Sequence, residues 1–269
     1  MSTDAETIKS AVRETYGRVA RGGGSCCGGG GDVVQSAAAM GYDLDDADAF
    51  AEVANLGLGC GAPLTFAAVQ AGETVLDLGS GAGFDAFLAR REAGEKGRVI
   101  GVDMTPEMLE RARFNAAKLG YTNVEFRAGE IETMPVEDAS VDLVISNCVL
   151  NLVPDKAVAF AQIARVLKPG GRMVVSDIVQ TDALPAELRH SLAAHAACVS
   201  GAVPLATYLA LLEAAGLERI EVLREVDAKP LLTSTACCDE ATAALGEGML
   251  ASVTVRAWKP RQGCCHGCC

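Results

Sequence analysis

The sequence is poor in histidine, and it has fewer basic residues than acidic ones. It contains three histidines, so proton transfer by imidazole is a poor candidate for the basis of its chemistry. Lysine and arginine together number 23 against 35 acidic residues, which leaves a net charge of −12. A chain of this charge is unsuited to neutralising nucleic-acid phosphates or to binding anionic lipid. We therefore expect no nucleic-acid partner.

Long apolar segments are also missing. No uncharged apolar run approaches the length of a membrane-spanning helix, and the first 17 residues carry charges where a signal peptide has an apolar stretch. We expect no membrane association and a cytoplasmic location. Half of the 269 residues are hydrophobic, which is enough for a substantial core. The acidic composition and the flexible ends favour a monomer.

Cysteine and glycine, by contrast, are abundant. The chain has 11 cysteines and 29 glycines. In a reducing compartment, many thiols indicate metal, metalloid or redox chemistry more often than a disulfide scaffold. Residues 21–31 read RGGGSCCGGGG, a composition that predicts a flexible arm carrying Cys26 and Cys27. We place this arm in an N-terminal helical region, residues 1–62.

Strand-like and helix-like segments alternate from residue 72. The predicted strands are ETVLDLGS, GRVIGVDMT, VEFRAGE, VDLVISN and GRMVVSD. Their alternation with helices predicts an α/β fold with a doubly wound, mostly parallel sheet over residues 63–180. A helix ending near Gln70 precedes the first strand, and residues 184–203 are predicted to be helical. Residues 181–260 are interpreted as an α+β C-terminal extension of the sheet, and residues 261–269 as a Cys-rich tail.

A glycine-rich loop follows the first predicted strand. The segment VLDLGSGAGFD places Asp77, Gly79, Gly81 and Gly83 at two-residue intervals before a helix, with Ser80 inside the loop. Glycines let the backbone approach a ligand, and the N-terminal amides of the helix face it. Dinucleotide sites use G-x-G-x-x-G, whereas the acidic D-x-G-x-G-x-G pattern suits a ligand with an amino group and a sulfonium. A dinucleotide-binding or degenerate domain, in which the glycines serve only the turn, is the alternative.

The loop resembles the first motif of class I S-adenosylmethionine (SAM) methyltransferases. The resemblance implies a Rossmann-like methyltransferase fold with SAM as cofactor. Asp103 ends the next strand, where a carboxylate can accept hydrogen bonds from both ribose hydroxyls, and Met104 is placed to pack on the adenine face. Glu130 and Ile131 correspond to positions that contact the adenine edge in such enzymes, although many relatives carry aspartate at the first. Asn147 ends the fourth strand, which faces the reacting methyl.

Three cysteines flank or enter this SAM region. Cys148 closes the fourth strand in SNCVLNLVPDK, Cys60 lies in LGCGAP and Cys198 lies in AACVSGAV. Three thiols from separate segments can converge on one soft ion. A lone cysteine on an apolar element is otherwise a small buried hydrophobic residue. The three segments and the glycine loop together resemble arsenite methyltransferases, over about residues 5–215.

This second resemblance implies how the thiols work. Trivalent arsenic is thiophilic, and in this family cysteine thiolates hold it. Carried onto matching positions, Cys148 and Cys198 are the principal arsenic ligands and Cys60 is the third. The arsenic lone pair attacks the methyl directly, so no general base is required. Cys26 or Cys27 matches the family's N-terminal cysteine, which can form a transient disulfide with Cys60 as methylation oxidises the arsenic.

The expected function is therefore methyl transfer from SAM to arsenite, giving mono- and dimethylated arsenicals. A thiol reductant such as glutathione or thioredoxin is expected to support turnover. Two alternatives stay open at this point. One is a methyltransferase of a small organic acceptor such as a quinone, which leaves the three cysteines unexplained. The other is a non-catalytic protein that binds soft metals or metalloids, against which the intact glycine loop weighs.

The remaining cysteines and histidines have weaker contexts. Cys265 and Cys268 with His266 resemble half a zinc site, but no second pair at zinc-finger spacing accompanies them. The tail either captures soft ions for the site or is inert. Cys237 and Cys238 are interpreted as surface thiols without a function. His190 and His195 are interpreted as polar residues of a helix face, with a place beside the arsenic site as the alternative.

Overall fold

The computed structural model describes residues 4–22, 33–43, 45, 50, 54–234 and 245–261. The predictions for Cys26, Cys27, Cys237, Cys238 and the tail from residue 262 onward concern residues that lie outside this described part.

One seven-stranded sheet forms the centre of the molecule, with the strand order β3-β2-β1-β4-β5-β7-β6. Strands β1 to β5 pair in parallel, while β7 is antiparallel to both β5 and β6. The doubly wound sheet and its C-terminal continuation, both expected from the sequence, are thus confirmed. The strands are β1 Thr74–Leu78, β2 Arg98–Asp103, β3 Val124–Ala128, β4 Val141–Asn147, β5 Leu167–Gln180, β6 Glu218–Asp227 and β7 Leu250–Trp258.

Helices surround the sheet. Short 3-10 helices at Ile131–Thr133 and Leu150–Leu152 follow β3 and β4. Within the described residues, no helix combines the length and the apolar character needed to cross a membrane. The α-helices are α1 Ala5–Ala20, α2 Val33–Met40, α3 Leu64–Ala67, α4 Phe84–Ala93, α5 Pro106–Leu119, α6 Lys156–Val166, α7 Ala186–Arg189, α8 Leu192–Ala196, α9 Leu205–Ala214 and α10 Lys229–Ser234.

Both faces of the sheet are covered by apolar layers, as parallel strands require. Alternate residues of β1 show this: Leu76 and Leu78 belong to the cluster that also contains Phe160 of α6, whereas Val75 belongs to the cluster that contains Phe87 of α4. All five of these side chains are fully buried. The strand is therefore a nearly continuous apolar run, and for this reason its sequence predicts a buried strand.

The topology sets the place of the functional site. Strand β1 lies between β2 and β4, so the chain leaves β1 in one direction along the sheet for β2 and β3 and in the other for β4 and β5. In open α/β sheets, ligands bind at the carboxyl ends of the strands at such a switch point. The glycine loop follows β1 and Cys148 follows β4, so the fold brings both to this crevice.

Helix α1 lies across the same end of the sheet. It contacts α5 and α8 as well as the 3-10 helix after β4. Its buried residues include Val12 and Val19, and Lys9 forms ion pairs with Glu130 at 2.7 Å and Glu132 at 3.0 Å. The N-terminal helix therefore packs against α5 and α8 and also forms one wall of the crevice.

Three predicted elements differ in extent. The helix expected to end near Gln70 stops at Ala67, because Ala68 adopts a left-handed conformation with φ 48°. The helical stretch at 184–203 is broken into α7 and α8, and the Ser191 side chain caps the second by accepting a hydrogen bond from the Ala194 amide. Strand β5 continues to Gln180, beyond the predicted GRMVVSD, because β7 pairs with it along that whole length.

The turn that carries Cys198 offers a test of the packing. A Cβ at Gly201 would overlap the carbonyl oxygen of Asn151, whereas Gly216, with φ +81°, has open space around it. We expect Gly201→Ala to lower the free energy of unfolding by about 3 kcal/mol through overpacking. Gly216→Ala is the control, since it adds only left-handed strain of about 1 kcal/mol. Urea denaturation measures both, and equal losses would contradict this packing.

Candidate active site

The glycine loop makes the predicted strand-to-helix turn. Gly79, Gly81 and Gly83 have positive φ angles of 62°, 51° and 98°, which side chains disfavour. The Gly79 amide donates to the Val102 carbonyl at 2.8 Å, which ties the loop to β2. Helix α4 starts directly after Gly83, so its first amides face the crevice.

The carboxylate of Asp103 is bonded to the same loop. Its Oδ2 accepts a hydrogen bond from the Gly81 amide at 2.9 Å, and its Oδ1 accepts one from the Thr105 amide at 2.8 Å. Burial raises the pKa of Asp103, while these backbone hydrogen bonds lower it. The acceptor predicted for the ribose hydroxyls is thus held rigidly at the end of β2.

One pocket is lined both by the glycine loop and by two of the three cysteines predicted to bind arsenic. Both Cys148 and Cys198 line it, while Cys60 is 1% exposed and lies behind its wall. Lys9 and Tyr16 close the side formed by α1. The predicted cofactor residues also line this pocket: Asp77, Gly79, Ser80, Gly81, Asp103, Met104, Glu130, Ile131 and Asn147. Gly83 is the exception, since it packs closely against the rings of Phe87 and Phe126.

The Glu130 carboxylate already has partners from α1. It accepts a hydrogen bond from Lys9 Nζ at 2.7 Å, and Arg13 lies at 3.6 Å. Burial is the largest single influence on the pKa of Lys9 and lowers it, but the hydrogen bonds and charges of Glu130 and Glu132 together raise the pKa above its ordinary value. The position predicted to contact the adenine edge therefore also holds α1 against the pocket.

Cys148 follows β4 in a strained conformation. Its φ is 59°, and its amide donates to the Ser176 carbonyl at 2.7 Å. A left-handed conformation costs a non-glycine residue about 1–3 kcal/mol and is kept where the surroundings impose it. The fourth strand thus ends at Asn147, as the predicted segment VDLVISN does, and Cys148 lies in the turn that follows the strand.

Cys198 shares this unusual geometry. It follows α8 with a φ of 62°, and its Sγ donates to the Cys148 carbonyl at 2.9 Å. The Asn151 side chain donates to the Ile178 carbonyl at 2.6 Å and to the Cys198 carbonyl at 3.4 Å. Two segments that are 50 residues apart are therefore fixed against each other through their cysteines.

Cys60 reaches the cluster from a loop that other residues hold. The Asn147 Oδ1 atom accepts hydrogen bonds from the Cys60 amide at 3.0 Å and the Gly61 amide at 3.2 Å. Asn147 also donates to the Gly61 carbonyl at 2.8 Å, and Ser252 of β7 donates to the Cys60 carbonyl at 2.5 Å. Asn147, which also lines the pocket, therefore holds the loop that carries Cys60.

All three thiols have raised pKa values. Burial raises the pKa of Cys60 to about 11. For Cys198, the hydrogen bond with Cys148 is the main cause, with burial second. For Cys148, the hydrogen bond with Cys198 lowers the pKa, but the one with Cys60 and burial outweigh it. The thiols are therefore protonated at neutral pH until a ligand displaces their protons.

Comparison with known proteins supplies the family. A methyltransferase-domain family model matches residues 69–229. An arsenite methyltransferase of Halobacterium salinarum is 45% identical over 96% of this chain and 68% of its own length. The chain belongs to the arsenite methyltransferase family. A human arsenite methyltransferase is 40% identical over a shorter region, 48% of this chain and 37% of the human protein.

A solved structure agrees with this assignment. An arsenic(III) S-adenosylmethionine methyltransferase from Chlamydomonas reinhardtii superposes with a TM-score of 0.65 and 35% sequence identity, over 88% of this chain and 76% of the other. Three predictions from the sequence are thereby confirmed: the class I methyltransferase fold, the SAM-dependent enzyme class and SAM as the cofactor.

The pocket of this arsenite methyltransferase family member fits SAM. Among the described residues, Asp77 Oδ2 and Ser80 Oγ are buried side-chain atoms without a hydrogen-bond partner. Burial and the nearby charges of Asp85 and Asp103 raise the pKa of Asp77. A ligand with an ammonium and a sulfonium group supplies both the missing partner and the missing positive charge. Residues Asp77 and Ser80 would hold its amino-acid end, and Asp103 its ribose.

Sequence reasoning missed several residues of the site. Tyr16 donates to the Ala196 carbonyl at 3.3 Å, and burial followed by the charges of Cys198 and Cys148 raises its pKa. Asp177 lies beside the thiols. Neither belongs to a recognisable motif, and their roles appear only when distant segments meet. His195 lies on α8, in keeping with the prediction of a helix face, and its Nε2 donates to the Leu152 carbonyl at 3.2 Å.

Removal of the Asp103 carboxylate tests the cofactor site. We expect Asp103→Ala to weaken SAM binding at least about tenfold, because a charged hydrogen-bond acceptor is worth about 1.5–3 kcal/mol. Isothermal titration calorimetry measures the change, and Glu137→Ala, at an exposed position, is the control. Unchanged SAM affinity in Asp103→Ala would show that the ribose lies elsewhere.

Loss of the Asn147 amide tests how Cys60 is positioned. We expect Asn147→Ala to lower arsenite affinity more than SAM affinity, and to cost about 2–3 kcal/mol of unfolding free energy, because the Cys60 loop loses its partners. Asn123→Ala removes a partly buried amide that binds the Gly94 and Gly97 carbonyls, so it is the matched control. A selective loss of SAM binding in Asn147→Ala would favour the original cofactor assignment.

Proposed function

We propose that this chain transfers methyl groups from SAM to trivalent arsenic bound by Cys60, Cys148 and Cys198. The products are mono- and dimethylated arsenicals, and the role is arsenic detoxification. One observation carries the proposal: the pocket that contains the glycine loop and Asp103 also contains Cys148 and Cys198. A cofactor site and a thiol site therefore open into the same space.

The cluster suits arsenite in its neutral form. When a thiol replaces a hydroxyl on arsenic, a sulfur–arsenic bond forms, and the thiol proton leaves with the hydroxide as water. The raised thiol pKa values therefore do not obstruct binding, since each proton has an acceptor in the leaving group. Soft sulfur donors favour this thiophilic centre over harder ions.

The surroundings of the thiols favour direct transfer. SAM, when bound, supplies an electrophilic methyl. Val149 and Leu152 line the pocket beside the cysteines and exclude water with their apolar side chains. Among the described residues that line the pocket, there is no histidine that would act as a base. None is required, because thiolate-bound trivalent arsenic keeps a lone pair that is not protonated.

Turnover requires reducing equivalents, since each methyl transfer formally oxidises arsenic. In this proposal Cys60 and either Cys26 or Cys27 give two electrons to the oxidised arsenic, which returns to the trivalent state, and form a transient disulfide that glutathione or thioredoxin reduces. Because Cys60 is 1% exposed, its loop has to shift to form that bond. A monomeric chain and a cytoplasmic location complete the proposal.

Product analysis tests the activity and the thiol assignment together. Purified, reduced protein is incubated with arsenite, SAM and glutathione, and methylated arsenic is measured by mass spectrometry. We expect product from the wild type and at least about a hundredfold less from Cys148→Ser and Cys198→Ser, since an alcohol is a poor ligand for a soft centre. Cys237→Ser is the control for loss of a thiol.

Two outcomes would contradict the proposal. Normal methylation by Cys148→Ser would exclude the assigned ligand set. No arsenic product from a wild-type protein that binds SAM would indicate another acceptor, and quinones and other small organic molecules would then be screened.

A further inference from the structure

A carboxylate lies next to two of the three thiols. One ligand atom from each of Cys60, Cys148 and Asp177 lies within 4.8 Å of the other two. All three residues are buried, with exposures of 1%, 9% and 1%. This set has two sulfurs and one oxygen and does not include Cys198, so it differs from the three-thiol set of the arsenic site.

Asp177 is held so that it faces the cluster. It lies in β5, where its Oδ1 accepts from the Ile178 amide at 3.1 Å and its Oδ2 accepts weakly from the Tyr208 hydroxyl at 3.4 Å. Each oxygen keeps capacity for a further contact, because a carboxylate oxygen can accept more than one. The Asp177 carboxylate is thus held in place, and its oxygens can accept a further ligand.

The charges around this set suit a divalent cation. Buried Lys156 lies close enough to Asp177 for the charges of the two side chains to interact. With Asp177 ionised, the lysine balances the carboxylate. A divalent cation that displaces the protons of Cys60 and Cys148 adds two positive charges and creates two negative ones. The buried cluster therefore stays neutral, which avoids the large cost of an uncompensated buried charge.

The donor types and spacing also select the ion. Two thiolates and a carboxylate are donors that zinc and its heavier congener cadmium accept, with a zinc–sulfur distance of about 2.3 Å. Ligand atoms around a tetrahedral ion of this size are about 3.8 Å apart. The three side chains would need to approach one another by about 1 Å or less, which rotation of a side chain can supply.

We propose that Cys60, Cys148 and Asp177 form a binding site for a thiophilic divalent cation such as Zn²⁺ or Cd²⁺. Binding forms two sulfur–metal bonds and one oxygen–metal bond, releases two thiol protons to solvent and changes no oxidation state. The bound ion withdraws Cys60 and Cys148 from arsenite, so it inhibits methyl transfer; this inhibition rests on the proposed function, whereas binding of the ion does not.

Cadmium is the probe for the test. Any thiol can bind cadmium. The whole chain is therefore used with the other eight cysteines changed to serine, namely Cys26, Cys27, Cys237, Cys238, Cys264, Cys265, Cys268 and Cys269. Thiolate-to-cadmium absorbance gives the stoichiometry and, in competition with a chelator, the affinity. We expect one Cd²⁺ per chain, and circular dichroism and SAM binding show that each variant is folded.

Two variants in this background separate the two ligand sets. We expect Asp177→Asn to weaken cadmium binding at least about tenfold and to leave arsenite affinity within about twofold, because the amide loses the charge that a cation needs. We expect Cys198→Ser to do the reverse. Cadmium binding unaffected by Asp177→Asn, or weakened equally by both variants, would overturn the proposal.

X-ray absorption on the cadmium-loaded background keeps the test decisive if Asp177→Asn does not fold. Two sulfurs with oxygen in the first shell would support the site, and three sulfurs would overturn it. If cadmium shows the expected pattern but the wild type makes no methylated arsenic, the proposed function fails and the cation site stands. If arsenic is methylated and cadmium binds through all three thiols, only the cation site fails.

Discussion

The carboxyl end of β4 is the constraint on which the rest of the site depends. Asn147 and Cys148 are adjacent there, and each forms hydrogen bonds that position one of the other two cysteines. The Asn147 side chain holds the loop of Cys60 through two amides and a carbonyl. The Cys148 carbonyl accepts the thiol of Cys198. A shift of this strand end would therefore displace all three sulfurs at once.

The fold was largely predictable because its signals are local. Apolar strands alternate with helices along the chain, and this alternation predicts a parallel sheet. Helix ends were also predictable, since Gly120 adopts the left-handed conformation directly after α5 and ends it there. What failed was local geometry that depends on distant contacts. The break between α7 and α8, and the full length of β5, follow from packing and pairing with segments far along the chain.

The identity of the main site residues was predictable, but the hydrogen bonds that position them were not. The glycine loop, Asp103 and the three cysteines have recognisable contexts, and the structure places them around one crevice. The hydrogen bonds of Asn147 to the Cys60 loop could not be predicted, since no motif marks an amide that holds a distant loop. Tyr16, Lys9 and Asp177 enter through α1 and β5, and only the tertiary arrangement reveals them.

The left-handed backbone at Cys148 and Cys198 has a consequence for the balance between stability and activity. Glycine or asparagine would adopt these angles at lower cost, so the native thiols are kept against the conformational preference of the chain. The left-handed backbone at these two cysteines therefore lowers the stability of the molecule at the crevice. Sequence optimisation for thermostability alone would favour replacement of these cysteines and yield a more stable protein without a substrate site.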